Sequence, residues 1–372
     1  MIYMDNAATS WPKPQSVKEA VIEAINNAGN PGRGTHPYAV WSSLKLDEVR
    51  QKTAKMFNIS DPMRIAFTLN ATHSLNIAVN LCYGKIVTTA MEHNSVLRPT
   101  VSRGYYHIVE AEPCGSLNYD KIINSITELT GAVIMTHASN VTGEIYDIAQ
   151  IGEICHKRGV LFIVDCAQSA GIIPIDVQSM NIDILCFTGH KGLFGIQGTG
   201  GIYIGPNVSV RPFMSGGTGS HSFLLKQPTE MPDCYEAGTV NTHGISALGA
   251  GIDYVAKIGI EKMKDIHTAL WRYFSVEAQK IKNITVYGVN PDKDDVLNAG
   301  IVSLNINGHS PADISTELAE AGISTRAGFH CAPLAHKTLK TDTCGGTVRF
   351  SMNHLNTKSD IDKVLGILRE MA

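Results

Sequence analysis

The stretch ILCFTGHKGLFGIQGTGGIYIG, residues 184–205, decides the fold, because it joins two apolar strands through one glycine-rich loop. Residues 184–188 form a nearly continuous apolar run, which is typical of a strand covered on both faces. Residues 200–204 predict the following strand. The loop between them is too short for a helical crossover, so we expect the two strands to run antiparallel.

Similar apolar runs occur upstream and alternate with helical patterns. LFIVD at 161–165, for example, has no polar residue before its last position. Alternation of this kind predicts an α/β fold with a largely parallel sheet. The predicted strands are 64–68, 86–89, 106–109, 132–136, 161–165, 184–188 and 200–204, and the predicted helices between them are 72–81, 117–129 and 148–158.

The chain after about residue 245 has a different pattern, which predicts a smaller α+β domain. A long helical region over 245–282 is interrupted near Gly259. A first helix is predicted over 16–28, and the sequence leaves open which domain it joins. The remaining predictions are strands over 283–287 and 300–305, a helix over 311–321, and a C-terminal helix with apolar residues Ile361, Val364, Leu365 and Leu368 and with Thr357 or Ser359 as its cap.

Composition and charge exclude several classes of protein. The 372 residues are 44% hydrophobic, and 31 basic residues against 34 acidic residues give a net charge of −3. This balance argues against a disordered chain and against nucleic-acid binding driven by charge. The N-terminus has no signal-like pattern and no run of about 18 apolar residues occurs, so we expect a cytoplasmic protein without a membrane partner.

The cysteines show no pattern of a disulfide framework or of a metal site. No two of them form a CxxC pair, so we expect neither disulfides nor a bound metal. Apart from Cys331, we expect them to be small, buried and reduced side chains. The eight positions are Cys82, Cys114, Cys155, Cys166, Cys186, Cys234, Cys331 and Cys344.

Polar side chains follow five of the predicted strands at the point where each strand ends. Ligands of open parallel sheets bind outside the carboxyl ends of the strands. A single polar strand end has no special meaning, but five together predict a binding or catalytic site at this edge. The segments are TLNATHS after Phe67, AMEHNS after Thr89, THASN after Met135, DCAQS after Val164 and TGHKG after Phe187.

Two of these strand ends carry charged residues directly after apolar runs. Desolvation would lower the pKa of Lys191, and a neutral amine there is a candidate for Schiff-base formation. The alternative is a lysine whose amine reaches solvent. Asp165 needs a cationic or hydrogen-bonding partner, with Gln168 nearby, or else it caps the following turn.

The segment from Asn70 to Ser74 opens a helix directly after a strand. Free backbone amides, the helix dipole and the Thr72 hydroxyl favour an anion site there, although an ordinary N-cap fits the same residues. Thr188, His190 and Thr239 add hydroxyls and an imidazole, which are common around a bound phosphate.

Cys331 differs from the other cysteines in its neighbours. It follows His330 directly and lies five residues after Arg326, on a loop bounded by glycine and proline. Nearby cations raise the fraction of thiolate, the nucleophilic form, although taken alone the loop slightly favours a structural cysteine. Arg349, in GTVRFS, suits bidentate binding of a carboxylate or a salt bridge at a sheet edge.

Taken together, these segments resemble the cysteine desulfurase and selenocysteine lyase branch of the class V aminotransferases, which are pyridoxal-phosphate (PLP) enzymes of fold type I. The resemblance implies a large PLP-binding domain over 15–250, with a mostly parallel seven-stranded sheet, and a small α+β domain over 1–14 and 251–372. The matching segments are YMDNAAT at 3–9, GRGTH at 32–36, NATHSLN at 70–76, MEHNS at 91–95, SNVTGE at 139–144, VDCAQSAG at 164–171, TGHKG at 188–192, EAGTVNT at 236–242, RAGFHCAP at 326–333 and VRFSMNHLNT at 348–357.

The resemblance also implies a role for each matching residue. Lys191 would bind PLP as a Schiff base and move protons, and His93 would stack on the PLP ring. Cys331 would attack the substrate sulfur, and Arg349 would bind the substrate carboxylate. The further assignments are cofactor contacts from Ala71, Thr72, Asn140, Asp165, Gln168, Thr188 and His190, a cofactor contact from Thr239 of a second subunit, and substrate contacts from His36 and Arg326.

The implied reaction converts L-cysteine to L-alanine and leaves a persulfide on Cys331, from which an acceptor protein or small thiol takes the sulfur. The short loop around Cys331 resembles group II desulfurases, although Ala327 and Phe329 replace the more usual Thr and His, and Thr188 replaces the more usual Ser. The role of Thr239 implies a homodimer. The alternatives are a selenocysteine lyase acting on L-selenocysteine, another class V reaction such as transamination, and a PLP-free α/β binding protein.

Overall fold

A computed structural model describes residues 1–32, 34–220, 222–293 and 296–372 of the chain. None of the described helices is both long enough and apolar enough to cross a membrane. The elements in chain order are β1 (Ile2–Tyr3), α1 (Gln15–Asn27), α2 (Pro37–Met56), β2 (Ile65–Thr68), α3 (Ala71–Leu81), β3 (Lys85–Thr89), α4 (Asn94–Arg103), β4 (Tyr106–Val109), α5 (Tyr119–Ser125), β5 (Thr130–Thr136), α6 (Ile148–Arg158), β6 (Leu161–Asp165), β7 (Ile184–Thr188), β8 (Gly200–Ile204), α7 (Thr242–Ile258), α8 (Ile260–Gln279), β9 (Ile284–Tyr287), β10 (Ile301–Ile306), α9 (Pro311–Glu320), β11 (Ile323–Ser324), β12 (Arg326–Gly328), α10 (Pro333–Thr338), β13 (Thr347–Ser351) and α11 (Lys358–Met371).

The central sheet has seven strands in the order β2-β8-β7-β6-β5-β3-β4. Strand pairs β3–β4, β3–β5, β5–β6 and β6–β7 are parallel. Strand β8 is antiparallel to both of its neighbours, β7 and β2. The sequence-based prediction of a mostly parallel sheet, with an antiparallel strand after the glycine-rich loop, is therefore confirmed.

Both faces of this sheet are covered by apolar side chains. Along β7, Leu185 and Phe187 join one hydrophobic cluster, whereas Ile184 and Cys186 join a second cluster. Successive side chains of a strand point to opposite faces, so the two clusters lie on the two sides of the sheet. A Cβ atom added at Gly201 would lie 2.3 Å from the ring of Phe187, which explains a glycine at this point of β8.

A second, four-stranded sheet has the order β12-β13-β10-β9 and is antiparallel throughout. Its apolar face packs on α8, α9 and α11 in one buried cluster, to which Met4 of the N-terminal segment also belongs. Strand β1 pairs with β11, so the first residues of the chain lie beside its C-terminal part. The division at residues 15 and 250 stays a prediction.

Most of the predicted helix boundaries agree with the structure. The long helical region ends and restarts at Gly259, whose φ of 93° is unfavourable for other residues. Thr357 caps α11 in a capping box with Asp360, so Ser359 as the alternative cap is wrong, because it lies inside the helix. The predicted helix over 117–129 is shorter, and no prediction covered α2.

The expectation that all the cysteines apart from Cys331 are buried is wrong for two of them. Cys114 and Cys344 are exposed, while Cys82, Cys155, Cys166, Cys186 and Cys234 are buried. All eight are free thiols. The two exceptions lie in turns outside the regular elements, where neighbouring residues give no apolar pattern that reports burial.

A buried ion pair joins α2 to the segment that follows the central sheet. The Arg50 guanidinium donates to both carboxylate oxygens of Glu236, at 2.9 and 3.1 Å. The same carboxylate accepts the backbone amide of Phe67 in β2 at 2.7 Å. Removing one member of such a pair leaves the other charge buried without compensation.

Arg50→Met is therefore expected to lower the free energy of unfolding by about 3–5 kcal/mol. The double variant Arg50→Met/Glu236→Met is expected to recover part of this loss, because no unpaired charge is left in the core. Urea unfolding measures both, with Arg369→Met on the exposed face of α11 as the control. A loss of under about 1 kcal/mol in the single variant, typical of a surface pair, would show that the Glu236 carboxylate is not left uncompensated.

Candidate active site

A cavity of about 390 Å³ lies where the parallel strands of the central sheet end. The C-terminal sheet contributes Arg349 from β13 and the loop after β12 to its wall. The lining residues are Ala7, Ala8, Asn70, Ala71, Thr72, His93, Ser95, Thr136, Ala138, Asn140, Asp165, Ala167, Gln168, Thr188, His190, Lys191, Arg326, His330, Cys331 and Arg349.

Lys191 lies three residues after the end of β7 and lines the cavity. Burial lowers the pKa of its amine to about 8, although the attraction of Asp165 opposes this shift. This shift increases the fraction of neutral amine, which is the form that acts as a nucleophile or a proton acceptor.

Asp165 ends β6 and is 4% exposed. Its Oδ1 accepts the backbone amide of Ala167 at 2.9 Å, and burial raises the pKa of the carboxyl group while Lys191 acts in the opposite direction. Gln168 lies beside it and donates to the carbonyl of Ala7 at 3.2 Å. Asp165 is thus a buried acid that faces the cavity and suits a cationic ring nitrogen.

Several unpaired donors meet at the end of the cavity where α3 begins. The side chain of Asn70 caps the amide of His73 at 2.9 Å, which leaves the amides of Ala71 and Thr72 without a partner among the described residues. Within the same described part of the chain, Thr188 Oγ1 and His190 Nδ1 are buried and unpaired. Such groups fit a phosphate of a bound cofactor, because an anion would satisfy them together.

His93 is the N-cap of α4 and stands against the cavity. Its Nδ1 accepts the amide of Ser95 at 3.0 Å, and burial lowers the pKa of the ring to about 4, so the ring is neutral at physiological pH. Ser95 Oγ lies 2.9 Å from the same nitrogen and 2.7 Å from the hydroxyl of Thr72. A neutral, oriented ring suits stacking on an aromatic cofactor.

Arg349 is 3% exposed and is held from two sides. Its Nη1 donates to the carbonyl of Asn140 at 3.0 Å and its Nη2 to Oδ1 of Asp5 at 3.2 Å. Arg326 donates to the same carboxylate at 3.0 Å. Two guanidinium groups therefore share one carboxylate, and the surplus positive charge is available for a substrate carboxylate.

Cys331 lies exposed at the wall of the cavity. His330 and Cys331 have φ angles of 47° and 57°, in the left-handed region that non-glycine residues rarely adopt. Two hydrogen bonds hold this conformation: the Asn94 amide donates to the Cys331 carbonyl at 2.7 Å, and the Asn140 side chain donates to the His330 carbonyl at 2.6 Å. These two hydrogen bonds offset the strain of the loop and hold Cys331 at the cavity wall.

The structure corrects the idea that His330 is one of the cations acting on the thiol. Burial, and the nearby charge of Arg349, lower the pKa of His330 far below its usual value, so its ring is neutral. Its Nε2 contacts the carbonyl and hydroxyl of Thr347, both at 3.1 Å. Arg326, Arg349 and Lys191 are the cations that interact electrostatically with Cys331.

The cavity brings together all the predicted site residues except His36 and Thr239. His36 is exposed at the N-cap of α2, and Thr239 is exposed on the segment before α7. Sequence reasoning missed Asp5 and Ser95 as individual residues. Both lie in segments on which the family resemblance rests, YMDNAAT and MEHNS, so membership of these motifs could have identified them.

Known proteins resemble the chain over its whole length. A probable cysteine desulfurase of Methanothermobacter thermautotrophicus is 35% identical, over 100% of this chain and 94% of the relative. The apo structure of a cysteine desulfurase from Thermococcus onnurineus is 32% identical with a TM-score of 0.92, over 100% of this chain and 94% of that one. The cysteine desulfurase CsdA of Escherichia coli, in an S-sulfonic acid form, is 27% identical with a TM-score of 0.88, over 99% and 94%.

The family resemblance deduced from the ordered motifs is confirmed by these comparisons. The α/β fold with a mostly parallel central sheet is likewise that of the solved relatives. A family profile described as "Aminotransferase class-V" matches residues 2–364. The chain therefore belongs to the class V aminotransferase family.

Proposed function

We propose that the protein is a PLP-dependent cysteine desulfurase that converts L-cysteine to L-alanine and carries the released sulfur as a persulfide on Cys331. The observation that carries this proposal is the presence of a thiol in the same cavity as Lys191, Asp165 and Arg349. Transamination needs no thiol nucleophile, so Cys331 favours desulfuration over that alternative. Cysteine desulfurases among the relatives support the same choice.

The residues present fit PLP as the cofactor. When bound through Lys191, PLP supplies an electron sink that weakens bonds at the substrate carbon atoms. The amides of Ala71 and Thr72, with Thr188 and His190, would hold its phosphate group. The Asp165 carboxylate would accept a hydrogen bond from the protonated ring nitrogen, and the neutral ring of His93 would stack on the cofactor ring.

Arg349 would orient the substrate by binding its carboxylate. Burial lowers the pKa of Arg349 to about 10, which still leaves the guanidinium charged at physiological pH. The Asp5 carboxylate and the Asn140 carbonyl fix two of its nitrogens, and its Nε is buried without a partner among the described residues. The Lys191 amine would accept and return the proton of the substrate carbon.

Cys331 would take the sulfur in a displacement at the substrate sulfur atom that needs no external oxidant, because the substrate carbon is reduced as the sulfur is oxidised. Its thiolate attacks the substrate sulfur, the carbon–sulfur bond breaks, and a sulfur–sulfur bond forms on Cys331. The carbon takes up a proton and leaves as part of L-alanine. Because hydrogen bonds from Asn94 and Asn140 fix the loop, the acceptor protein or small thiol must approach Cys331 in the cavity mouth.

The cofactor prediction is tested by colour. The purified protein is expected to bind about one PLP per chain with a visible absorption band, and Lys191→Ala is expected to lose that band because the covalent attachment is gone. Lys363→Met, which removes an exposed lysine of α11, serves as the control. A wild-type protein that stays colourless after incubation with PLP would disprove the proposed function.

The nucleophile prediction concerns Cys331→Ser. Alanine formation from L-cysteine is expected to fall by at least about 100-fold, because the group that accepts the sulfur is removed. Cys344→Ser, an exposed thiol on another loop, is expected to keep the wild-type rate. Wild-type turnover in Cys331→Ser would refute the persulfide role. Faster wild-type turnover of L-selenocysteine that survives Cys331→Ser would instead identify a selenocysteine lyase, since selenium leaves more readily than sulfur.

We further propose a homodimer in which Thr239 contacts the cofactor of the other subunit. Thr239 is exposed and outside the cavity of its own chain, and large apolar side chains are exposed on α1, on α2 and at residues 223–225. Isolated apolar residues are common on surfaces, but several neighbouring ones indicate an interface.

Sedimentation analysis is expected to give twice the mass of one chain. Thr239→Ala is expected to speed PLP dissociation several-fold through loss of one hydrogen bond, whereas Thr316→Ala on exposed α9 changes nothing. A monomer with full activity, or Thr239→Ala with unchanged PLP dissociation, would exclude this arrangement.

A further inference from the structure

Lys13 has an unusual environment for a lysine. It lies between β1 and α1 and is half-buried, and its Nζ donates to Ser10 Oγ at 2.8 Å and to the carbonyl oxygen of His190 at 2.9 Å. No carboxylate of the described residues lies within ion-pair distance of it. Burial lowers the pKa of its amine to about 8. Partial desolvation of an amine without an acidic partner has a free-energy cost, which its two hydrogen bonds offset.

The acceptor of this hydrogen bond is an unusual carbonyl group. Besides Lys13, the His190 oxygen receives the backbone amide of Ser10 at 3.0 Å, the hydroxyl of Ser10 at 3.1 Å and the hydroxyl of Thr9 at 3.1 Å. A carbonyl oxygen has two lone pairs, so four donors exceed what one peptide group needs. This carbonyl is part of the peptide bond that joins His190 to Lys191.

The donor segment is itself held in place. The hydroxyl of Tyr3 donates to the Thr9 carbonyl at 2.9 Å, and the amide of Trp11 donates to Asn6 Oδ1 at 3.3 Å. Ser10 and Lys191 also share the wall of a second, small cavity of about 20 Å³. The N-terminal segment therefore packs directly against the peptide bond before Lys191, while Ala7 and Ala8 of the same segment line the main cavity.

The residues around this peptide bond are those that would hold the cofactor. Thr188 and His190 line the cavity and carry buried polar atoms without a partner among the described residues, and Lys191 follows directly in the chain. A rotation of the His190–Lys191 peptide would move the amine of Lys191 and the ring of His190 together. Fixing its carbonyl therefore fixes two contacts of the cofactor at once.

We propose that Lys13 is a positioning residue: its ammonium group locks the His190–Lys191 peptide bond and so sets the orientation and retention of PLP. The inference rests on the proposed function, because it assigns Lys13 to the same cavity. Lys13 is absent from the lining of the cavity, so it acts through the backbone and not by touching the cofactor.

The test uses the full-length protein loaded with PLP. Lys13→Met keeps most of the side-chain length and removes the ammonium donor, whereas Lys13→Arg keeps a cationic donor. Ser10→Ala removes the hydroxyl that donates to the same His190 carbonyl. Lys363→Met, which changes an exposed lysine of α11, is the matched control. Three quantities are measured: the rate of PLP dissociation, the visible circular dichroism per bound PLP, and the melting temperature of the PLP-free protein.

In Lys13→Met, PLP is expected to dissociate about tenfold faster, which corresponds to losing one hydrogen bond to a charged donor. The circular dichroism per bound PLP is expected to change as well, because the cofactor is reoriented. Lys13→Arg is expected to restore most of both properties, Ser10→Ala to show a smaller change, and the PLP-free melting temperature to stay within a few degrees.

Two results would overturn the inference. One is wild-type dissociation and circular dichroism in Lys13→Met. The other is faster PLP dissociation that accompanies a lower melting temperature of the PLP-free protein and is not rescued by Lys13→Arg. That result would indicate that Lys13 only stabilises the fold. Failure of the proposed function is a separate outcome, because then the wild-type protein itself would bind no PLP.

Discussion

Apolar side chains cover both faces of the central sheet, and this constraint determines where polar chemistry can lie. Strands such as β7 offer no polar position before their last residue, so charged groups are tolerated only where the strands end. The parallel strands end at one edge, and Asp165 and Lys191 meet there. Their pKa values are shifted by the same burial that stabilises the sheet.

The residues that line the cavity carry more positive than negative charge. Asp165 is the acidic residue of the described lining, against the cations Lys191, Arg326 and Arg349. Asp5 lies behind the wall and binds both arginines, which orders them without cancelling their combined charge. A cavity with surplus positive charge and unpaired donors suits a ligand that carries both a phosphate and a carboxylate, which is what a PLP-bound amino acid presents.

The N-terminal segment connects the two sheets at this cavity. Asp5 reaches the arginines of the C-terminal sheet, while Thr9, Ser10 and Lys13 reach the peptide bond before Lys191. One short stretch thus contacts both the arginines of the cavity wall and the peptide bond before Lys191. Its own conformation is secured by β1, which pairs with β11.

The sequence by itself determined the seven strands of the central sheet and placed Lys191 and Asp165 at strand ends, because apolar periodicity and strand-end motifs are local signals. Cys331 was singled out through the family resemblance, and the short strands β1, β11 and β12 were not predicted. It could not show that His330 is neutral, since that depends on burial created by distant segments. Nor could it show that Asp5 and Arg349, 344 positions apart, share a hydrogen bond. Only the tertiary structure decided these features, because desolvation and charge pairing depend on which remote side chains pack together.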